Sequence, residues 1–581
     1  MAKLPRNAKE LRRAASCAVP PKSEPEADAL RREASSISDC TLVAAGPAGP
    51  LATWGPVKGR GGGKIPYSPE DRFELLGQAR RAAVPDGLTN FAHMQGLCEQ
   101  LVDRMGHAPT EGQHKAMRAL ERLLGTEKPR ATLVLKGYAG TGKTTLVGAL
   151  VKVLKEMHRP VVLLAPTGRA AKVLSAYAGA PASTIHRRIY RMAGDEGEEF
   201  RGMALAPNKE QQALFVVDEA SMIGSGGEGV FDRDLLADLF GHVFASPHNK
   251  LLLIGDPAQL PPVGSDHSPA LDLKDLSDRG LLPGSIELTE VVRQAEASGI
   301  LENATALRAT LALMPAGEEA IGGKNLVADK IVPQFITGFD DVVRVEGYDL
   351  QDALEEAYAK HGDEEVCLIC RSNKRAYQYS QQVRARIHGF EEELEANDRL
   401  MVVKNNYFWA TREKGTGPGS FGLIANGEQV TVQRVHRTEE KYGLRFADLT
   451  INWWDGQAER ELEVKVILDV LAGEGPALPG QRMRQLSQDV LANMVARTKG
   501  ERFRAFRQDP YANALQVKYA YAVTCHKAQG GQWKSVFVDQ GYVTEEMIDR
   551  EYVRWLYTAV TRASERLYLL NFHPRFFGEE P

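Results

Sequence analysis

The residues best suited to chemistry lie in one glycine-rich loop. Residues 137–145 read GYAGTGKTT and directly follow the apolar run ATLVLK. Glycines let a loop turn tightly enough for successive N–H groups to point at phosphates, and the N-terminus of the following helix adds a favourable dipole. Lys143 supplies a mobile positive charge, and Thr144 supplies a hydroxyl for a Mg²⁺ ion that bridges the phosphates. The spacing predicts a nucleoside-triphosphate site made by Gly137, Gly140, Thr141, Gly142, Lys143, Thr144 and Thr145.

An acidic pair follows another apolar strand. Asp218 and Glu219 stand in VVDEAS. Because the carboxyl ends of parallel strands share one edge of a sheet, both side chains should lie beside the phosphate loop. Asp218 would hold Mg²⁺ through water, and Glu219 would polarise the water that attacks the γ-phosphorus. The alternative is an acidic surface pair at a strand end.

A third polar loop, IGDPAQLPPVGSD, occupies residues 254–266. Gln259 lies where it could sense the γ-phosphate. Pro261 and Pro262 make a rigid apolar edge, because each proline ring locks one backbone dihedral.

The elements that must position these loops alternate between short apolar strands and helical stretches. One series contains TLVLK, VVLLAP (161–166), ALFVVD (213–218) and KLLLIG (250–255). A second series begins with SIELT (285–289), continues with DVVRVE and VCLIC, and resumes with VKYAYAVT (517–524), SVFVD and RLYLLN. Such alternation predicts parallel sheets covered on both faces. The fold class is therefore α/β, with two P-loop-like domains and a β-rich insert over roughly 396–515.

The bulk composition is that of an ordinary globular protein. Hydrophobic residues make up 43 % and charged residues 25 % of 581 positions, with a net charge of −4. No apolar run reaches the length of about 18 residues that a bilayer requires, and no secretory signal is visible, so we expect a cytoplasmic protein. Cys367 and Cys370 are the close pair among six cysteines, and their apolar surroundings favour a buried strand over a zinc site.

The N-terminal region has a different composition. Residues 1–65 carry more Lys and Arg than Asp and Glu and end in a Gly- and Pro-rich stretch, which predicts a disordered basic arm. An organellar transit peptide is an alternative that Glu10 disfavours. Residues 66–108 contain two helix signals, the first of them Ser68-Pro69-Glu70, and are expected to form a helical segment.

The chain contains a series of short motifs, which in order are GYAGTGKTT, APTGRAAKVLS, STIHRRIY, VVDEAS, GDPAQLPPVG, LTEVVRQ, YAVTCHKAQGGQW and YTAVTRA. In this order they resemble the motifs of superfamily 1 helicases, and their residues are most similar to the B branch, the RecD and Dda type. The resemblance spans about residues 109–571.

The resemblance implies further site residues. Gln113 would read adenine, and Gln532 would contact the nucleotide. Arg293 and Arg562 would enter the nucleotide cleft from the second domain, where a planar guanidinium suits dispersed phosphate charge. The DNA backbone would be contacted by Thr167, His186, Pro261, Pro262, Thr524 and His526. Alternatives stay open: Thr167 as a helix cap, the histidines as satisfied polar residues, Gln113 as a surface residue, and both arginines as surface ion pairs.

The resemblance also implies a domain plan. Residues 109–282 would be RecA-like domain 1A, with a β-hairpin pin (1B) at 191–212 and Phe200 and Met203 as apolar candidates for its tip. An alternative for 191–212 is a plain loop. RecA-like domain 2A would comprise 283–395 and 516–581, interrupted by an SH3-like 2B insert at 396–515.

The function implied is an ATP-dependent DNA helicase that moves 5′ to 3′ on single-stranded DNA and uses Mg²⁺. Its partners would be single-stranded DNA and single-strand/duplex junctions, with recombination or replication proteins as further candidates, and the monomer would be active. A second class is a DNA-stimulated ATPase that remodels or loads protein in a recombination or repair complex with little unwinding. A non-enzymatic nucleotide-binding module is disfavoured because Lys143, Asp218, Glu219 and Arg562 are all present.

Overall fold

The computed structural model describes residues 96–192, 203–224, 226, 233–292, 298–314, 331–411, 422–455, 458–495 and 498–579. The predicted arm, most of the predicted N-terminal helical segment, Phe200 and Arg293 lie outside these ranges. Within them, no helix combines the length and apolarity needed to cross a membrane.

A six-stranded parallel sheet, with its helices, forms what we call the first lobe. The strands up to residue 290 are β1 (Ala131–Gly137), β2 (Val161–Ala165), β3 (Ala182–Thr184), β4 (Tyr190–Met192), β5 (Met203–Leu205), β6 (Leu214–Val217), β7 (Lys250–Gly255) and β8 (Leu282–Leu288). The sheet order is β3-β2-β6-β7-β1-β8, whereas β4 and β5 form a separate antiparallel pair. The helices are α1 (Leu97–Met105), α2 (Glu111–Gly125), α3 (Lys143–Glu156), α4 (Gly168–Ala178), α5 (Ile185–Ile189), α6 (Leu235–Val243) and α7 (Leu273–Asp278).

A five-stranded parallel sheet forms the second lobe, in the order β16-β10-β17-β18-β9, and β11 to β15 close into a barrel. The strands are β9 (Val342–Val345), β10 (Val366–Cys370), β11 (Arg399–Val402), β12 (Gln429–Lys441), β13 (Leu444–Trp454), β14 (Glu459–Ile467), β15 (Leu515–Tyr519), β16 (Ala522–Thr524), β17 (Trp533–Asp539) and β18 (Ala563–Leu570). The helices are α8 (Gly299–Leu313), α9 (Leu350–His361), α10 (Asn373–Arg386), α11 (Gly480–Ala492), α12 (Lys499–Arg507), α13 (Cys525–Ala528) and α14 (Arg550–Val560).

The α/β class with parallel sheets is confirmed. Apolar residues on the two faces of the first sheet pack into separate buried clusters, as expected for strands covered by helices on both sides. Every residue of β10 is buried, so Cys367 and Cys370 belong to a core strand as predicted.

Two strand assignments from the sequence are wrong. The run SIELT belongs to β8, which pairs in parallel with β1 at the edge of the first sheet and not with the second series. The run VKYAYAVT forms two strands: β15 pairs with β11 in the barrel, and β16 pairs with β10 in the second sheet. Because Ala520 and Tyr521 separate them, a single apolar run serves two different cores.

Candidate nucleotide site and the seam between the lobes

The glycine-rich loop has the backbone shape that a phosphate cradle requires. β1 ends at Gly137, and α3 begins at Lys143. Gly140 and Gly142 adopt φ values of 73° and 79°, the left-handed region that favours glycine. A Cβ placed on Gly142 would lie 2.3 Å from Nε2 of Gln113, so no larger residue fits there without displacing that side chain.

Lys143 folds back over the loop. Its Nζ donates to the carbonyl oxygens of Gly137 at 2.7 Å and Tyr138 at 2.8 Å. Thr144 and Thr145 are exposed in the first turn of α3. An ammonium held by two carbonyls can exchange them for phosphate oxygens, and the Thr144 hydroxyl is open to a ligand. The loop geometry is compatible with phosphate binding, and the nucleotide contacts of these residues stay a prediction.

The side chain of Gln113 forms a hydrogen bond with the phosphate loop. The residue is fully buried, and its Oε1 accepts from the backbone N–H of Thr110 at 3.0 Å in a capping box at the start of α2. Its Nε2 donates to the carbonyl of Thr141 at 3.1 Å. In this structure the side chain therefore joins α2 to the phosphate loop, and adenine recognition by Gln113 stays a prediction.

Asp218 lies immediately after β6 on the same sheet edge as the loop. One carboxylate oxygen accepts from the hydroxyl of Tyr177, and the other accepts from the backbone N–H of Glu219 at 2.9 Å. Burial raises the pKa of Asp218 to about 6, and the nearby charge of Glu219 acts in the same direction. A cation at this position would offset the cost of keeping that carboxylate ionised. Tyr177 lies in α4, and no pattern in the sequence connects it with Asp218.

Glu219 is held in an uncommon backbone conformation. Its φ of 51° is left-handed, and a short 3₁₀ helix, Ala220–Met222, follows it. Non-glycine residues in this region store backbone strain and are enriched at functional sites. Its Oε1 lies 3.6 Å from Nη1 of Arg562 in the second lobe.

Arg562 directly faces the first lobe. It is only 3 % exposed and follows α14 by two residues. Its Nε donates to the carbonyl of Thr558 at 3.1 Å, and its Nη1 donates to the carbonyl of Gly531 at 3.2 Å. These bonds fix the guanidinium before any ligand arrives, so two opposite charges meet where the lobes meet.

The loop after β7 is embedded in the second lobe. Leu260 donates its N–H to Oγ1 of Thr558 at 2.9 Å and accepts from Nε2 of Gln529 at 2.8 Å. Gln259 is buried, and its Oε1 has no hydrogen-bond partner among the residues that the structure describes. This oxygen is therefore available to accept a hydrogen bond from a water molecule or a ligand.

These features fit a Mg²⁺–nucleotide complex. The left-handed glycines leave room for phosphate, Lys143 offers positive charge, and Thr144 and Asp218 are oxygen donors of the kind that Mg²⁺ prefers. The unpartnered Oε1 of Gln259 adds a group that a bound molecule would satisfy.

Arg293 and Gln532 are the two other residues predicted to contact the nucleotide. Arg293 lies outside the described residues, but the N–H of the preceding Val292 donates to the carbonyl of Gly140 at 3.0 Å. Gln532 has an exposed side chain, and its carbonyl accepts from Arg169 of α4 at 3.0 Å. The structure therefore brings the neighbour of Arg293 to the loop and places Gln532 against α4.

The predicted DNA contacts follow strands at the carboxyl edges of both sheets. Thr167 follows β2, His186 follows β3, and His526 follows β16, whose last residue is Thr524. The hydroxyl of Thr167 accepts from the N–H of Ala170 at 3.2 Å, so the cap that stood as its alternative is present.

The two histidines and two prolines at this edge are all partly buried. Burial lowers the pKa of His186 to about 4 and also lowers the pKa of His526, so both imidazoles are neutral near pH 7. Pro261 and Pro262 are half-buried beside Val263, which is 65 % exposed.

The barrel contacts the first lobe through a buried ion pair. Arg187 of α5 lies 3.8 Å from Glu428 and stacks over the ring of Trp453 at 5.3 Å, and the indole Nε1 of Trp453 donates to Glu428 at 2.6 Å. A Cβ on Gly168 would lie 2.3 Å from Cγ of Glu428, so this contact requires glycine there. Burial raises the pKa of Glu428 to about 7.

The stability of this contact should depend on pH through Glu428. A raised pKa means that the folded state binds a proton that the unfolded state releases, so stability falls as pH rises from about 4.5 to 7. We expect Glu428→Gln to gain stability relative to the wild type between pH 5 and pH 8, by on the order of 2 kcal/mol. Thermal midpoints across this range measure it. Glu461→Gln, an exposed position in the barrel, is the control. Parallel pH profiles of wild type and Glu428→Gln would contradict the prediction.

The chain is similar to known helicases over most of its length. Residues 109–315 match the model of the AAA domain, and residues 519–570 match the model of the UvrD-like helicase C-terminal domain. The ATP-dependent RecD2 DNA helicase of Deinococcus radiodurans is 27 % identical over 439 residues, which cover 75 % of this chain and 46 % of that protein.

Two other proteins also show similarity to this chain. The ATP-dependent DNA helicase Dda of Enterobacteria phage T4 is 24 % identical over 62 % of this chain and 77 % of its own length. A crystal structure of Pif1 helicase from Bacteroides, in complex with ADP-AlF3 and single-stranded DNA, aligns with 80 % of this chain and 93 % of that chain at 15 % identity and a TM-score of 0.38. The chain thus spans less than half of the first relative and about three quarters of the second. With an AAA domain model and a UvrD-like helicase C-terminal domain model matched in order, the chain is similar to RecD- and Dda-type helicases of superfamily 1B.

Proposed function

We propose that this protein is an ATP-dependent DNA helicase that translocates on single-stranded DNA from 5′ to 3′ and separates duplex DNA. The observation that carries the proposal is the meeting of Glu219 and Arg562, at 3.6 Å, across the seam between two parallel-sheet lobes. A hydrolytic site built from both lobes makes their relative position depend on the nucleotide.

Each residue of the proposed site has a separate role in ATP hydrolysis. The loop N–H groups and Lys143 bind the phosphates, while Thr144 and Asp218 hold Mg²⁺, which supplies charge that orients and neutralises the phosphates. Glu219 accepts a proton from the attacking water, and Gln259 orients that water through its unpartnered oxygen. Arg562, with Arg293 as a second candidate, stabilises charge on the transferred phosphoryl group.

The same arrangement converts hydrolysis into movement. Bound ATP attracts charges from both lobes and favours a closed seam, whereas loss of the γ-phosphate removes that attraction. The neutral His186 and His526, with Thr167 and Thr524, donate hydrogen bonds that suit phosphates of any sequence. A translocating monomer requires DNA binding without sequence preference.

The inserts have separate roles. We propose that the antiparallel pair β4–β5 is the stem of the 1B pin that splits the duplex at a single-strand/duplex junction, and that the barrel β11–β15 is an SH3-like 2B domain. Met203 lies in the stem, opposite Met192, and not at a tip. The other predicted tip residue, Phe200, lies outside the described residues. The lobes correspond to RecA-like domains 1A and 2A, and the protein acts on cytoplasmic DNA.

Strand displacement on tailed duplexes tests the proposal. We expect ATP-dependent release of the short strand from a duplex with a 5′ tail, and little release from one with a 3′ tail. Lys143→Ala, which removes the phosphate-binding ammonium, serves as the inactive control for contaminating enzymes. ATP hydrolysis stimulated by single-stranded DNA, without release from either substrate, would refute the helicase and favour a remodelling ATPase.

Removing the residues between β4 and β5 should separate unwinding from hydrolysis. Replacing residues 193–202 by a two-residue turn keeps β4 and β5 but removes the rest of the proposed pin between them. We expect DNA-stimulated ATP hydrolysis within about twofold of wild type and at least a tenfold loss of strand displacement, since only base-pair separation needs the pin. Unwinding at the wild-type rate would assign duplex separation to another element.

A further inference from the structure

One face of α14 makes a series of contacts with the first lobe. Side chains three or four positions apart share a helix face. Nη1 of Arg554 donates to the carbonyl of Asp266 at 3.0 Å, and Thr558 accepts from the N–H of Leu260 at 2.9 Å. Arg562, just past the helix end, continues this face to Glu219.

Tyr557 occupies the centre of this face and touches the nucleotide loop itself. It is 1 % exposed. Its hydroxyl accepts from the backbone N–H of Ala139, inside the loop, at 2.9 Å and donates to Oδ2 of Asp256, directly after β7, at 2.7 Å. A single hydroxyl of the second lobe therefore joins two loops of the first lobe.

The network around this hydroxyl is buried and ordered. Burial raises the pKa of Tyr557 well above its ordinary value, so the phenol stays protonated and donates. The other oxygen of Asp256 accepts from the N–H of Ala258 at 2.9 Å. Movement of α14 away from the first lobe would leave a buried carboxylate and a backbone N–H without their partner, which is costly.

We propose that Tyr557 is a positioning residue that ties the nucleotide loop to α14, so that the loop and Arg562 reach their hydrolytic positions together. The inference rests on the proposed function. Neither Ala139 nor Asp256 moves independently of the second lobe while this bridge is intact. Binding of nucleotide needs the loop alone, whereas hydrolysis needs the loop and Arg562 in register.

Tyr557→Phe tests this division because it removes the hydroxyl and keeps the buried ring. We expect kcat for ATP hydrolysis at saturating single-stranded DNA to fall at least tenfold, with the KM for ATP and the Kd for a fluorescent ADP analogue within about twofold of wild type. Asp256→Asn, which weakens the same bridge without opening a cavity, should show the same split between kcat and KM.

Tyr521→Phe is a matched control within the same chain. The buried hydroxyl of Tyr521 also bridges a backbone N–H, that of Arg399 at 3.1 Å, and a carboxylate, that of Asp398 at 3.1 Å. Neither of these partners belongs to the first lobe. We expect Tyr521→Phe to lower the thermal midpoint comparably while leaving kcat and KM at wild-type values.

The outcomes are distinguishable. A wild-type protein without DNA-stimulated ATP hydrolysis would remove the proposed function. With an active wild type, the inference fails if Tyr557→Phe keeps wild-type kcat, if its loss appears in KM instead, or if Tyr521→Phe lowers kcat equally. A kcat loss confined to Tyr557→Phe and Asp256→Asn supports it.

Discussion

Glu219→Gln should lower ATP hydrolysis by about 10³-fold while ATP still binds, since a general base typically contributes 10²- to 10⁴-fold. The amide keeps the size of the side chain but cannot take a proton from water. Phosphate release at saturating single-stranded DNA measures the loss, and titration with a fluorescent ATP analogue measures binding. Glu219 faces Arg562 across the seam. We expect that removing its charge leaves the binding of ATP intact.

Glu210→Gln is the control for this substitution. Glu210 is a partly buried glutamate that pairs with Arg188 at 2.6 Å in the first lobe. Among the described residues, the hydrogen bonds of this pair do not involve the phosphate loop. It should hydrolyse ATP at close to the wild-type rate. If Glu219→Gln keeps hydrolysis within tenfold of wild type, another group activates the water and the role assigned to Glu219 is wrong.

Arg562→Ala should lower kcat by about 10³-fold or more, with nucleotide affinity nearly unchanged. The guanidinium acts on charge that develops during phosphoryl transfer, so its loss appears in the chemical step and not in ground-state binding. Single-turnover hydrolysis and nucleotide titration separate the two quantities.

Arg550→Ala tests whether any arginine of α14 has this effect. Nη1 of Arg550 donates to the carbonyls of Leu311 at 2.7 Å and Met314 at 2.8 Å, in the region that packs on α14. We expect a modest loss of stability and little change in kcat. Equal losses of kcat in Arg550→Ala and Arg562→Ala would mean that the integrity of α14, and not the charge at the seam, limits hydrolysis.

The sequence by itself determined the parts of this protein that depend on local rules. The glycines of the phosphate loop are recognisable because left-handed backbone and close side-chain approach exclude other residues, as at Gly140 and Gly142. Alternation of apolar strands and helices was enough to predict parallel sheets. The carboxyl-edge position of Asp218 and Glu219 followed from the same rule.

Only the tertiary structure decided which strands share a sheet and which side chains meet. Apolar content makes β8 and β16 strands, but their partners are set by packing between distant segments, so β8 joins the first sheet and VKYAYAVT divides between two cores. The contacts of Tyr177 with Asp218 and of Tyr557 with Ala139 and Asp256 join positions 41 to 418 residues apart. A tyrosine hydroxyl has no periodicity or spacing signal, because its partner is chosen by burial in three dimensions and not by its neighbours along the chain.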